Sequence, residues 1–155
     1  MNSETKKVYA KRITTASKTE LIVIMYEMFL EYVNDAKEKS GNVTELRQNI
    51  RSAIKVVNKL IESIDLKYDV GKQLMSIYLF VNRELLKADI HADVTNIDEI
   101  IKIMETLKTT FEELKNKDTS GPMMKNVQAV YAGLTYGKND VNEYIDTDKN
   151  RGYTI

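Results

Sequence analysis

The sequence predicts an all-α protein: an antiparallel up-down four-helix bundle with an extended N-terminal leader and a flexible or partly ordered C-terminal tail. Three observations carry that expectation. Four segments of about 20 residues repeat apolar side chains at alternating steps of three and four, the spacing of one helix face. Strand-like alternation is missing from all four. Short polar breaks separate them, so consecutive helices fold back as neighbours. The expected boundaries are a leader over residues 1–16, a bundle over 17–117 and a tail over 118–155.

The first bundle helix starts at Ser17. Ser17 and Glu20 stand three apart, the spacing at which each side chain satisfies a free backbone amide at a helix start. Ile22, Met25, Tyr26, Phe29 and Val33 then form one apolar stripe, and Leu21, Ile24, Met28 and Tyr32 form a second. A bundle helix closes with one stripe, so the second needs a cover of its own. Lys37 and Lys39 complement the C-terminal dipole, and Gly41 is the expected left-handed cap.

The second helix begins near Thr44 or Glu45. It carries the seam Leu46, Ile50, Ala53, Val57, Leu60 and Ile64, widened by Ile54 and Ile61. Asp65 to Asp69 is a polar break, with Asp69 the expected cap of the third helix. Val70, Leu74, Ile77, Val81, Leu85 and Ala88 make the third seam, and Met75, Tyr78, Leu79 and Leu86 extend its face. After a break at Asp93 to Asn96, Asn96 and Glu99 repeat the cap-plus-acid spacing. The fourth helix runs through Ile97, Ile100, Met104, Leu107, Phe111 and Leu114.

Asp118-Thr119-Ser120-Gly121-Pro122 is a breaker cluster that ends the bundle. The tail beyond it has Gly133, Gly137 and Gly152, yet keeps Val127, Val130, Tyr131, Leu134, Tyr136, Val141, Tyr144 and Tyr153. Met123 to Ala132 has the pattern of a short, marginal helix.

Composition narrows the function. A chain of 155 residues fits one domain with a real core, and with no Cys it has no disulfide or thiolate chemistry. Lys and Arg number 23 against 23 Asp and Glu, so no global field draws the chain to nucleic acid or to an anionic membrane. The basic leader (Lys6, Lys7, Lys11, Arg12, Lys18) reads as a solvated segment. The first residues lack a signal-peptide core, and no apolar run is long enough to span a bilayer. The expectation is a cytoplasmic protein without membrane insertion.

No catalytic constellation stands out. The single His91 ends the third helix, and Ala88 occupies the place where a di-iron bundle's Glu-x-x-His motif needs Glu. There is no Gly-rich phosphate loop. No enzyme activity, metal or cofactor is expected.

One junction resembles a known family. Tyr9, Ile13, Thr15-Ala16-Ser17, Glu20-Leu21 and Met25-Tyr26 follow the order found at the start of the FliS family of flagellar secretion chaperones, with Lys18 where that family usually has Pro. Leu74-Met75-Ser76-Ile77-Tyr78 through Arg83, Leu85-Leu86 and Ala88-Asp89-Ile90 is similar to the family's third helix, and Phe111 falls where many members carry Trp. The resemblance covers Tyr9 to Leu114. It implies a cytoplasmic helical bundle that binds the disordered C-terminal region of flagellin, blocks premature polymerisation and keeps the client fit for export. An export-gate component or regulator is a further partner to consider, and the free protein is expected as a monomer or weak homodimer.

On this reading Tyr9 and Ile13 plug a groove near the start of the first bundle helix, beside Leu21, Met25 and Tyr26, and Thr15, Ala16 and Ser17 fix the leader's direction. The client competes for that surface and for a groove lined by Ile54, Val57, Ile61, Leu74, Ile77, Tyr78 and Val81. Arg83 stands where the family has an Arg, and as a residue of this helix it reads equally as a surface charge. Tyr26 and Tyr78 read as core side chains with a hydroxyl bonded at the edge. The residues themselves leave a second reading open: a self-associating bundle, an adaptor or regulatory interaction protein with no unfolded client.

Overall fold

The Ala16–Ser17 step separates two helices. The computed structural model describes residues 1–124, and α1 (Ser3–Thr15) precedes it while α2 (Lys18–Glu38) follows. The leader is therefore helical, not extended. Asn2 caps α1 by accepting the Thr5 N–H at 2.8 Å. Tyr9, Ile13 and Ala16 fall at i, i+4 and i+7, one apolar edge that a helix can lay on α2. Ala16 and Ser17 are both extended, and Ser17 Oγ accepts the Glu20 N–H at 3.2 Å to start α2.

Three further helices complete the described residues: α3 (Val43–Glu62), α4 (Asp69–His91) and α5 (Ile97–Lys117). Every regular element among them is a helix, and none is long and apolar enough to cross a membrane. α2 packs against both α3 and α5, α4 packs against α3 and less closely against α5, and α1 packs on α2 alone. At one end Thr19 Oγ1 donates to the Asp118 carboxylate at 2.7 Å, and at the other Lys37 pairs with Asp98 at 2.5 Å. The start of α2 thus meets the end of α5, and its end meets the start of α5. Arg47 near the start of α3 donates to the Asp89 carbonyl at 3.0 Å near the end of α4.

The core lies between α2, α3, α4 and α5. Phe29 and Val33 of α2, Leu46, Ile50, Val57 and Leu60 of α3, Val81 and Leu85 of α4, and Ile100 and Met104 of α5 are fully buried. The α3 seam matches its periodicity from Leu46 to Leu60, each position buried against neighbouring helices, while Ile64 falls past the end of α3 and is half-buried. The α4 seam differs at its start. Val70 is exposed, and Gly71 is buried in its place. A Cβ on Gly71 would lie 2.1 Å from the Asp65 carbonyl oxygen, so only glycine admits the incoming connection there.

Three expected helix ends differ as well. Gly41 is not left-handed; Asn42 begins α3 instead, its side chain accepting the Thr44 and Glu45 N–H groups. The left-handed cap is Ala92, with φ of 49°, at the end of α4. Asp69 is the first residue of α4, not its cap, and Asn96 precedes α5 without a side-chain cap bond. The tail residues Val127, Val130, Tyr131, Leu134, Tyr136, Val141, Tyr144 and Tyr153, and the short helix expected up to Ala132, lie outside the described residues.

Candidate partner-binding surfaces

The second apolar stripe of α2 is the seat of α1. Tyr9, Ala16 and Ile24 are buried together, with Ile13, Leu21 and Met28 half-buried around them. Arg12 grips Glu27 through its two terminal guanidinium nitrogens, at 2.5 and 3.3 Å, and lies 5.7 Å over the Tyr9 ring. The Glu27 hydrogen bond holds the Arg12 guanidinium above its usual range. Burial, then the carboxylates of Glu31 and Glu27, pushes the Tyr9 phenol up to about 12.

The expected leader site divides in two. Tyr9, Ile13, Ala16 and Leu21 do come together. Met25 and Tyr26 face the other way, into the main core, where Tyr26 is fully buried. Thr15 is exposed and donates to the Arg12 carbonyl, while Ser17 serves as the α2 cap. Thr14, not singled out by its sequence context, is the buried hydroxyl of the hinge, donating to the Lys11 carbonyl at 2.6 Å.

The expected second groove is not one open surface. Val57, Tyr78 and Val81 are buried in the core, and the Tyr78 hydroxyl bonds that of Tyr26 rather than sitting at an edge. Ile54, Ile61, Leu74 and Ile77 are half-buried against that core. What lies open on α4 is instead Leu79, Leu86 and Ile90, with Val70 at its start. Arg83 is exposed, stacked 5.4 Å from the Phe80 ring and 3.7 Å from Glu84.

A strap closes the α2–α5 end. Asp118 accepts from Thr19 and from Ser120, whose N–H and hydroxyl both donate, and the Met123 N–H donates to the Ala16 carbonyl at 2.9 Å. These donors, Ser120 first, hold the Asp118 carboxyl well below the usual carboxylate range. The breaker cluster announced that α5 ends there but not that the chain turns back onto the α1–α2 hinge. The helical spacing of Tyr9, Ile13 and Ala16 is the signal by which α1 is legible, and Arg12, one position before Ile13, follows from it. Among the described residues, no three His, Asp or Glu side chains are grouped to hold a metal.

Residues 1–118 match the family described as flagellar protein FliS. That span includes α1 and ends at Asp118. No curated protein matches the chain.

Proposed function

The chain belongs to the FliS family of flagellar proteins, and from that premise we propose that it is a cytoplasmic export chaperone, not an enzyme, for the disordered C-terminal region of flagellin. The client lies partly helical on apolar helix faces, held back from polymerisation and fit for export. We take α2–α5 as an antiparallel up-down bundle, α1 as a displaceable cover and residues 118–155 as a separate tail.

The observation that carries this reading is how α1 is attached. It packs on α2 alone, and beneath it are Leu21 and Ile24, apolar side chains outside the core of α2–α5, with Met28 at the margin between the two. An amphipathic client helix satisfies the same face by the same contacts. Glu31 favours displacement: it faces the start of α1 from α2, and one of its carboxylate oxygens is shielded from water without a hydrogen-bond partner among the described residues. Undocking α1 rehydrates that oxygen and removes its desolvation penalty. Tyr9, Ile13, Ala16 and Leu21 then belong to the exchange surface. Ile54 and Ile61 are the client-facing part of α3, and Arg83 is a charge at the margin of α4.

Isothermal titration of the full chain with the C-terminal segment of flagellin from the same genome tests this. One-to-one binding with a markedly negative heat-capacity change is expected, because apolar helix faces leave water. No heat and no co-elution would overturn it. A stable dimer of the free protein in sedimentation would favour a self-associating adaptor.

A further inference from the structure

The outward face of α3 and α4 is both apolar and basic. Leu79, Leu86 and Ile90 of α4 are 54%, 47% and 68% exposed. Their spacing of seven and four aligns them on one flank of the helix. That flank borders α3, because Asn82, between Leu79 and Leu86, donates to Asn58 at 3.2 Å, and Asp89 receives Arg51 at 3.1 Å. Half-buried Ile54 and Ile61 continue the strip on α3. Within it Asn82 Oδ1 is shielded from water and has no hydrogen-bond partner.

Charge around the strip is one-sided. Between Leu46 and Ile61, α3 carries Arg47, Arg51, Lys55 and Lys59 and no acidic residue. Between Val70 and Ala88, α4 adds Lys72, Arg83 and Lys87 against Glu84 alone. Asp89 engages Arg51, Glu84 is shared by Arg83 and Lys87, and Glu62 and Asp69, just outside these spans, pair with Lys59 and Lys72; Arg47 and Lys55 have no carboxylate partner among the described residues, so a positive surplus remains. A second copy of the chain is a poor occupant, since two-fold pairing would press one basic stripe onto another.

The complement is in the chain itself. Residues 139–148 read Asn-Asp-Val-Asn-Glu-Tyr-Ile-Asp-Thr-Asp: Asp140, Glu143, Asp146 and Asp148 with no basic residue. Val141, Tyr144 and Ile145 stand at i, i+3 and i+4, a spacing that a helical turn would place on one side. The strap fixes where this segment's tether starts, with the Met123 N–H bonded to Ala16. Eighteen residues from Met123 to Val141 reach up to about 60 Å at about 3.3 Å each. α3, with 20 residues, is about 30 Å long. The whole face is within range.

We infer that residues 139–148 dock in cis on the α3–α4 face, setting Val141, Tyr144 and Ile145 against Leu79 and Leu86 and their carboxylates among Arg51, Lys55 and Arg83. The inference stands whatever client the protein serves. A client using the same face meets this segment as a competitor.

The chain has no cysteine, so Thr147→Cys in the full-length protein carries a single nitroxide spin label. Methyl NMR then reads which side chains it approaches. The Leu79, Leu86 and Ile54 methyls are expected to broaden, independently of protein concentration. In about 1 M salt, where the screening length falls to about 3 Å, the broadening should drop several-fold. Lys55→Glu should weaken it, and so should Val141→Ser with Ile145→Ser. No broadening on α3–α4, or broadening confined to another face, would overturn the inference. So would equal broadening in a mixture of spin-labelled and isotope-enriched chains, which would make the contact intermolecular.

Discussion

The hydroxyls of Tyr26 and Tyr78 hydrogen-bond to each other in the core and join α2 to α4, two helices that otherwise do not pack together. The rings tilt by 50° with centroids 6.4 Å apart, and Phe111 adds a second tilted contact on Tyr26 at 5.5 Å. Among the described residues, each hydroxyl is the other's one hydrogen-bond partner. Tyr26→Phe or Tyr78→Phe alone strands a buried hydroxyl and should cost about 1–3 kcal/mol. The double variant removes both polar groups, so its loss should fall short of the sum of the singles. Urea unfolding of the four proteins checks this; additive losses would mean that the pair is not coupled.

The same burial makes the fold sensitive to alkali. Burial raises the phenols of both Tyr26 and Tyr78 above the ordinary value of 10.0. As pH climbs past that value, the unfolded chain releases these protons while the folded chain keeps them. Stability therefore holds below pH 10 and declines above it. Tyr9, raised to about 12, loses its share between pH 10 and 12. Urea midpoints from about pH 9 to about pH 11 should fall, and the Tyr26→Phe/Tyr78→Phe double variant should fall less. Parallel curves would assign the decline to other groups.

The α3 seam was legible because one helix face meets one continuous groove, so Leu46, Ile50, Ala53, Val57 and Leu60 follow from spacing alone. The second stripe of α2 announced that something must cover it. The helical state of that cover was less plain, since Lys11 and Arg12 between Tyr9 and Ile13, and Thr14 and Thr15 between Ile13 and Ala16, also suit a solvated arm. Connections were the least legible part. Nothing near Gly71 reveals that the Asp65 carbonyl approaches it, and Gly41 and Ala92 exchange the roles that their residue types imply. The open flank of α4 escaped for a related reason: Leu79 and Leu86 fit a seam by type, and only the close approach of α3 decides which leucines stay outside.

Those two backbone positions give opposite expectations. Ala92 holds a left-handed conformation that disfavours any side chain. Ala92→Gly should stabilise the protein by about 1 kcal/mol. Gly71→Ala puts a methyl against the Asp65 carbonyl and should destabilise by about 1–3 kcal/mol as the connection shifts. Thermal unfolding checks both, and a stabilising Gly71→Ala would contradict the described path of residues 65–71.

The attachment of α1 yields the last expectation. Its apolar grip rests on Tyr9, Ile13 and Ala16, and its main side-chain ion pair on Arg12 with Glu27. None of these residues belongs to the core between α2 and α5. Tyr9→Ala should therefore free α1 while leaving that core intact: amide exchange should accelerate over residues 3–15, with urea unfolding of the remainder little changed. A cover that competes with the client reduces apparent affinity by the fraction of time the face is open. Tyr9→Ala should then tighten binding of the flagellin segment by about fivefold or more. The strap decides how far release extends, because Asp118 bonds Thr19 on the α2 side of the hinge and Met123 bonds Ala16 at the hinge itself. α1 can swing at Ala16–Ser17 while Asp118 stays on Thr19, so exchange of the Ser120 amide, bonded to Asp118, should not accelerate. Weaker client binding in Tyr9→Ala would reverse the assignment and make Tyr9 a contact residue instead of a competitor.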